Sequence, residues 1–180
     1  MVSKLMPNGA ADMLKQYQNL SFAGCFLLIS LCFSTQWMAD DTISVKIIGM
    51  ELARDIADAA VLACRAKGYQ VSAVVVDRNG DIRAALRDDL ASRFTLQIAE
   101  EKANAVVMSG LKSGEFRENR QDIRPEMNHV RGILMMVGGV PINAAGSRLG
   151  AVGVSGAPGG EKDEACAIKV TWSTILVQSS

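Results

Sequence analysis

The sequence predicts a mixed α/β domain in which antiparallel hairpins are covered by helices. Two dense turn signals and three helical periodicities carry this expectation. Asn79-Gly80 stands between two β-type runs, and Gly138–Gly160 holds eight of the sixteen glycines around two further short β-type runs. Apolar residues recur at helical spacing over 50–67, 92–111 and 161–178. A chain of 180 residues, 49% hydrophobic and 21% charged, is long enough to bury one sizeable core.

Lys4 and Lys15 precede the apolar run Leu20–Phe33, the shape of a secretory signal peptide. Residues 1–39 are therefore expected to be a leader cut after Ala39 or Ser34, leaving 40–180 as the exported domain. A retained N-terminal membrane anchor is the alternative, since Leu20–Ala39 is just long enough to span. Cleavage removes Lys4, Lys15 and Asp12 and leaves a near-neutral domain. With no basic face and no basic-aromatic interleaving, nucleic acid is not an expected partner.

After an extended segment at Thr42–Ile48, the first helix spans Met50–Lys67. Glu51, Arg54, Asp55, Asp58 and Arg65 fall on one arc, and Leu52, Ile56, Ala57, Ala60, Ala63 and Cys64 on the other. Gly68 ends it. The valine-rich Gln70–Asp77 and the alternating Asp81–Arg87 then form a hairpin across Asn79-Gly80, a dipeptide suited to positive φ at both central positions of a tight turn. The first strand reads as central and the second as half exposed.

The second helix runs from Ser92, a suitable N-cap, to Leu111. Its polar arc is Gln97, Glu100, Glu101 and Asn104, and Lys102 lies roughly opposite, among apolar residues. Such a lysine snorkels at the rim, or meets an anionic group of a ligand or a second subunit. Lys112–Arg124 reads as a loop or short irregular helix, and Pro125 starts a short helix through Val130. His129 is the one histidine of the chain. It reads either as a structural surface residue or as an axial ligand of haem, which needs only one protein ligand; a zinc site would need more.

The glycine-rich stretch gives a strand at Val140–Asn143, a turn at Ala145–Ser147, a strand at Leu149–Ser155 and a loop to Gly160. Glycines inside strands mark tight bends, or places where a ligand or another backbone comes close. Gly150, Gly153 and Gly156 recur every third residue, yet neither phosphate-binding fingerprint is met. The last helix, Glu161–Gln178, is apolar on most sides after its acidic first turn, which points to a subunit interface. Cys64 and Cys166 fall on apolar helix faces, which favours free buried thiols over a pair, even after export.

Four stretches together resemble the GlcG/HbpS-like family, the haem-degrading or haem-binding domain also found in PduO-type proteins. They are Ala66-Lys67-Gly68-Tyr69; Val74–Gly80 running on to Arg87-Asp88-Asp89; Ile98–Ala103; and Gly138–Ile142 with Gly150–Gly156 and Asp163–Cys166. The likeness covers about residues 49 to 178. It implies an α/β (α+β) domain with an antiparallel sheet of about five strands, profilin-like or sensor-like, that forms homo-oligomers. The family often has Asp-Gly-Ala where this chain has Asp88-Asp89-Leu90.

The first functional expectation is a secreted or periplasmic haem- or tetrapyrrole-binding protein, concerned with haem or iron uptake or sensing. The ring would rest on the surface of Gly138, Gly139, Pro141, Gly153, Ser155 and Gly156. Lys102, Arg83 or Arg87 would meet its propionates, and His129 would ligate the iron. The second is an enzyme acting on haem, or a role in small-acid or corrinoid metabolism. Ser155 lacks a nucleophile-elbow setting, so any haem chemistry would come largely from the haem itself. The third is a structural oligomer without ligand.

Overall fold

Helix α1 (Met50–Arg65) buries Ala53, Ile56, Ala57, Ala60, Val61 and Cys64, residues three or four apart that form one stripe. The chain leaves it through Gly68 at φ +79°, where Tyr69 N donates to the Cys64 carbonyl at 3.1 Å. The structure, a computed structural model, describes residues 42–127, 129–144 and 146–178, with side chains described as far as Lys169. Val45–Ser180 forms one compact unit and is treated by itself. The leader or anchor expected over 1–39 lies outside the described residues.

Strand β1 (Ser72–Asp77) is buried at all six positions, while β2 (Ile82–Arg87) is half exposed. The turn between them is longer than the two-residue form expected from Asn79-Gly80. Asp77 Oδ1 accepts from both Asn79 N and Asp81 N, at 2.8 and 3.2 Å, and Gly80 takes a φ of +94°. A carboxylate at the end of β1 thus organises four residues where two were expected, and the register shifts between Val75 and Val76.

Helix α2 (Phe94–Ser109) has Arg93 rather than Ser92 at its N-cap, with Ser92 Oγ 3.4 Å from Phe94 N, and ends at Gly110, φ +78°. Helix α3 (Ser113–Asn119) and the single turn α4 (Arg124–Met127) follow. Strands β3 (Gly139–Ala144) and β4 (Ser147–Ser155) form the second hairpin, and helix α5 (Gly160–Gln178) closes the chain.

All pairings are antiparallel, in the order β2-β1-β4-β3. The sheet therefore has four strands rather than about five. Thr42–Ile48, the remaining extended stretch, joins no ladder: it buries Ile48 and leaves Ile43, Val45 and Ile47 exposed.

Side-chain alternation gives the sheet two different faces. Ala73, Val75, Val140, Ile142, Val152 and Val154 meet α1 and the first turns of α5. Val74, Val76 and Ala151 meet Ala99, Ala103 and Val106 of α2. A third cluster, Ala105, Phe116, Met127 and Met135, lies on the far side of α2. The cysteines are not free: Cys64 and Cys166 form a disulfide between α1 and α5, with Cα atoms 5.5 Å apart. Apolar surroundings made free thiols the natural reading, but the two helices pack side by side and bring both sulfurs to one buried point.

Candidate functional site

Two glycines of the second hairpin, Gly139 and Gly153, face a helix. A Cβ on Gly153 would lie 1.9 Å from the Ala99 carbonyl oxygen, and one on Gly139 2.4 Å from that of Lys102. These two glycines pair across β3 and β4, so together they open a trough into which the backbone of α2 settles. Of the two readings left by strand glycines, close approach by another backbone is the one realised here. The ring surface expected at Gly139 and Gly153 is covered by α2. Gly138 and Gly156, both at positive φ, lie within 3 Å, by the same measure, of Val154 O and of Gln70 O respectively. Ser155 is buried at the end of β4, and Pro141 is half-buried in β3 opposite Ala151.

Lys102 follows from this close packing. Its side chain is 1% exposed, and Nζ donates to Asp163 Oδ2 at 2.9 Å and to Val154 O at 3.0 Å. Asp163, in the first turn of α5, also accepts from Ala157 N through Oδ1 at 2.9 Å. Burial raises the Asp163 pKa above the usual carboxylate value, against the lowering effect of Lys102. The lysine thus ties α2 to the end of β4 and the start of α5, and its ammonium is already held by two oxygens. The acidic first turn of the last helix was legible in the sequence, but Asp163 as the partner of Lys102 was not. The signal was partial: a lysine on an apolar arc calls for an enclosed counter-charge, but nothing local in the sequence singles out Asp163.

Arg83 and Arg87 are exposed on β2. Arg87 Nη1 donates to Ala91 O at 2.5 Å and so holds the loop after β2, in which Arg65 also grips Asp88 through two hydrogen bonds of 2.6 and 3.0 Å. The guanidinium of Arg65 holds the Asp88 carboxyl below its usual range. His129 is exposed in the turn after α4, its N–H donating to Glu126 O at 3.0 Å. The structure does not bring His129, Lys102 and the β2 arginines into one described contact.

Two open grooves flank α2 near its C-terminal end. One, about 370 Å³, lies between the β1–β2 turn (Asn79, Gly80, Asp81), α2 (Asn104, Val107, Met108) and the loop Arg131–Ile133. In it Asn104 Nδ2 donates to Gly132 O at 3.1 Å, which fixes the amide, while its buried Oδ1 has no partner. The other, about 340 Å³, is more apolar and is lined by Met108, Leu111, Phe116, Arg120 and Ile123, with Ser109 and Asn119. The segment carrying His129 thus starts at one groove with Ile123 and ends at the other with Ile133, and Met108 borders both. Asn104 was read only as part of a wet arc, and Met108 was not singled out. Among the described residues no group of three or more His, Cys, Asp or Glu could hold a metal ion, and no helix is long and apolar enough to cross a membrane.

Residues 48–171 match the family model described as haem degrading protein HbpS-like. A double mutant of Streptomyces reticuli HbpS is 31% identical, over 74% of this chain and 91% of that one, with a TM-score of 0.70. A second HbpS structure is 32% identical, over 75% and 94%, with a TM-score of 0.69. The structure of a PduOC:heme complex shares the fold at 20% identity, over 72% and 95%, with a TM-score of 0.61. No curated protein matches the chain.

Proposed function

The chain belongs to the HbpS-like family, and on that premise we propose that it is an exported haem- or tetrapyrrole-binding protein acting in haem or iron uptake or sensing. The family match over 48–171 carries this reading, and the relative solved with haem supports it. Export is supported by the N-terminal apolar run together with the Cys64–Cys166 disulfide, a bond at home in oxidising compartments.

The residues present fit a haem in three respects. His129 is exposed and its imidazole carries no ion pair or hydrogen bond among the described residues, so it is free to ligate iron. The more apolar groove offers Met108, Leu111 and Phe116 to the ring, while Arg120 at its edge is held by Asp122 through two hydrogen bonds of 3.0 Å. Arg83 on β2 is exposed and in no ion pair among the described residues, so its guanidinium is open to a propionate. A groove of about 340 Å³ is at the small end of ligand pockets, so the ring would be only partly covered by one chain and a second copy would close over it. A bound haem would supply its own iron redox chemistry, and the chain's part is to hold, orient and shield it.

Hemin titration of residues 40–180, followed by absorbance and size-exclusion chromatography, tests the reading. A saturable Soret band travelling with an oligomer is expected. Absence of saturation overturns haem binding and leaves a small-acid or corrinoid ligand, or a structural oligomer. Loss of the band with reductant, with a bilin-type product, would add haem breakdown to binding.

A further inference from the structure

We propose that the groove between the β1–β2 turn, α2 and the Arg131–Ile133 loop binds a zwitterionic small molecule of the α-amino acid class, separately from any haem. The groove presents one carboxylate, Asp81, and one guanidinium, Arg131. Neither is in an ion pair among the described residues, and they do not bridge each other. Opposite charges that line one cavity without meeting suit a ligand carrying both signs, its ammonium toward Asp81 and its carboxylate toward Arg131. A simple anion would face Asp81 unpaired, and a simple cation would face Arg131.

The walls that carry these charges are held in place. Asp81 N donates to Asp77 Oδ1 at 3.2 Å, and Asp77 N donates to Asp81 O at 2.9 Å, so the turn is tied from both sides. The Arg131 loop is pinned by the bond from Asn104 Nδ2 to Gly132 O. That bond leaves Asn104 Oδ1 as an acceptor with nothing to accept, lying under Gly80, where an added Cβ would be 3.1 Å away. Val107, Met108 and Ile133 offer apolar contact to a side chain. The volume, about 370 Å³, is enough for a small metabolite.

The test is calorimetric titration of the full-length chain with L-leucine and L-methionine. Leucine's two single-charge analogues, 4-methylpentanoate and 3-methylbutylamine, serve as controls. Saturable binding of at least one amino acid is expected, with the analogues weaker by about tenfold or more. Arg131→Gln should weaken the amino acid and spare the amine, Asp81→Asn should weaken it and spare the carboxylate, and Asn104→Leu should weaken it by about tenfold. This crossed selectivity would not follow from a merely structural role. No binding by either amino acid, equal binding by the analogues, or unchanged affinity in Arg131→Gln and Asp81→Asn would each overturn the proposal.

Discussion

Toward α1 and α5 the sheet shows branched side chains, Val75, Val152 and Val154 among them, and the two helices are joined to each other by a disulfide. Toward α2 it shows Gly139 and Gly153 beside Val74, Val76 and Ala151, and apolar packing is joined by close backbone approach and a buried ion pair. Side chains that interlock can shift rotamers to absorb a change in volume. A helix backbone seated on glycines has no such slack. The glycine-rich stretch is thus explained by packing, and the open grooves lie at the flank of α2.

The sharpest way to break this contrast is Gly153→Ala. Its methyl would stand 1.9 Å from the Ala99 carbonyl oxygen, so α2 must lift away. A loss of about 4 kcal/mol or failure to fold is expected in denaturant unfolding. Val152→Ala, which faces α1, should cost only about 1–3 kcal/mol. Similar losses for the two would erase the difference between the faces.

Next in size is Asp163→Asn, which leaves the Lys102 ammonium buried without its counter-charge and should cost about 3–5 kcal/mol. The double variant Lys102→Met with Asp163→Leu should recover much of that loss. No recovery would mean that the pair acts through something other than mutual neutralisation. On the opposite face, replacing Cys64 and Cys166 with alanine should cost about 2–4 kcal/mol, because the bond closes a loop spanning 102 residues.

The smallest effect separates two carboxylates by pH. The Asp88 pKa is lowered by Arg65, so its contribution is present above the ordinary carboxylate range and is lost as pH falls through the lowered value. The Asp163 pKa is raised by burial, so its contribution is present below that range and fades as pH rises through the raised value. The stability advantage of the native protein over Asp88→Asn should therefore shrink on acidification. An advantage that grew instead would contradict the assignment.

Much of the fold was legible because its signals are local. The stripe of α1, the central β1, the half-exposed β2 and the second hairpin each rest on neighbours within a few residues. The turn after β1 was longer than its Asn-Gly pair suggested, because Asp77 takes two of its N–H groups. Long-range pairings were less legible. Lys102 is 61 residues from Asp163, and no periodicity joins them. The same holds for Cys64 with Cys166. The glycines could be read as a place of close approach, but only the position of α2 decides between a backbone and a ligand. Asn104 was hidden for a related reason: its orphaned oxygen exists only because Gly132 claims the amide nitrogen.

Under the proposed function, haem binds this chain with His129 as the iron ligand. The most direct test is the hemin difference spectrum of the native protein beside that of His129→Ala, an exposed substitution that should leave the fold intact. The account predicts a saturable Soret band in the native protein that is lost or displaced in the variant. An identical band in both would remove His129 from the site and contradict that assignment.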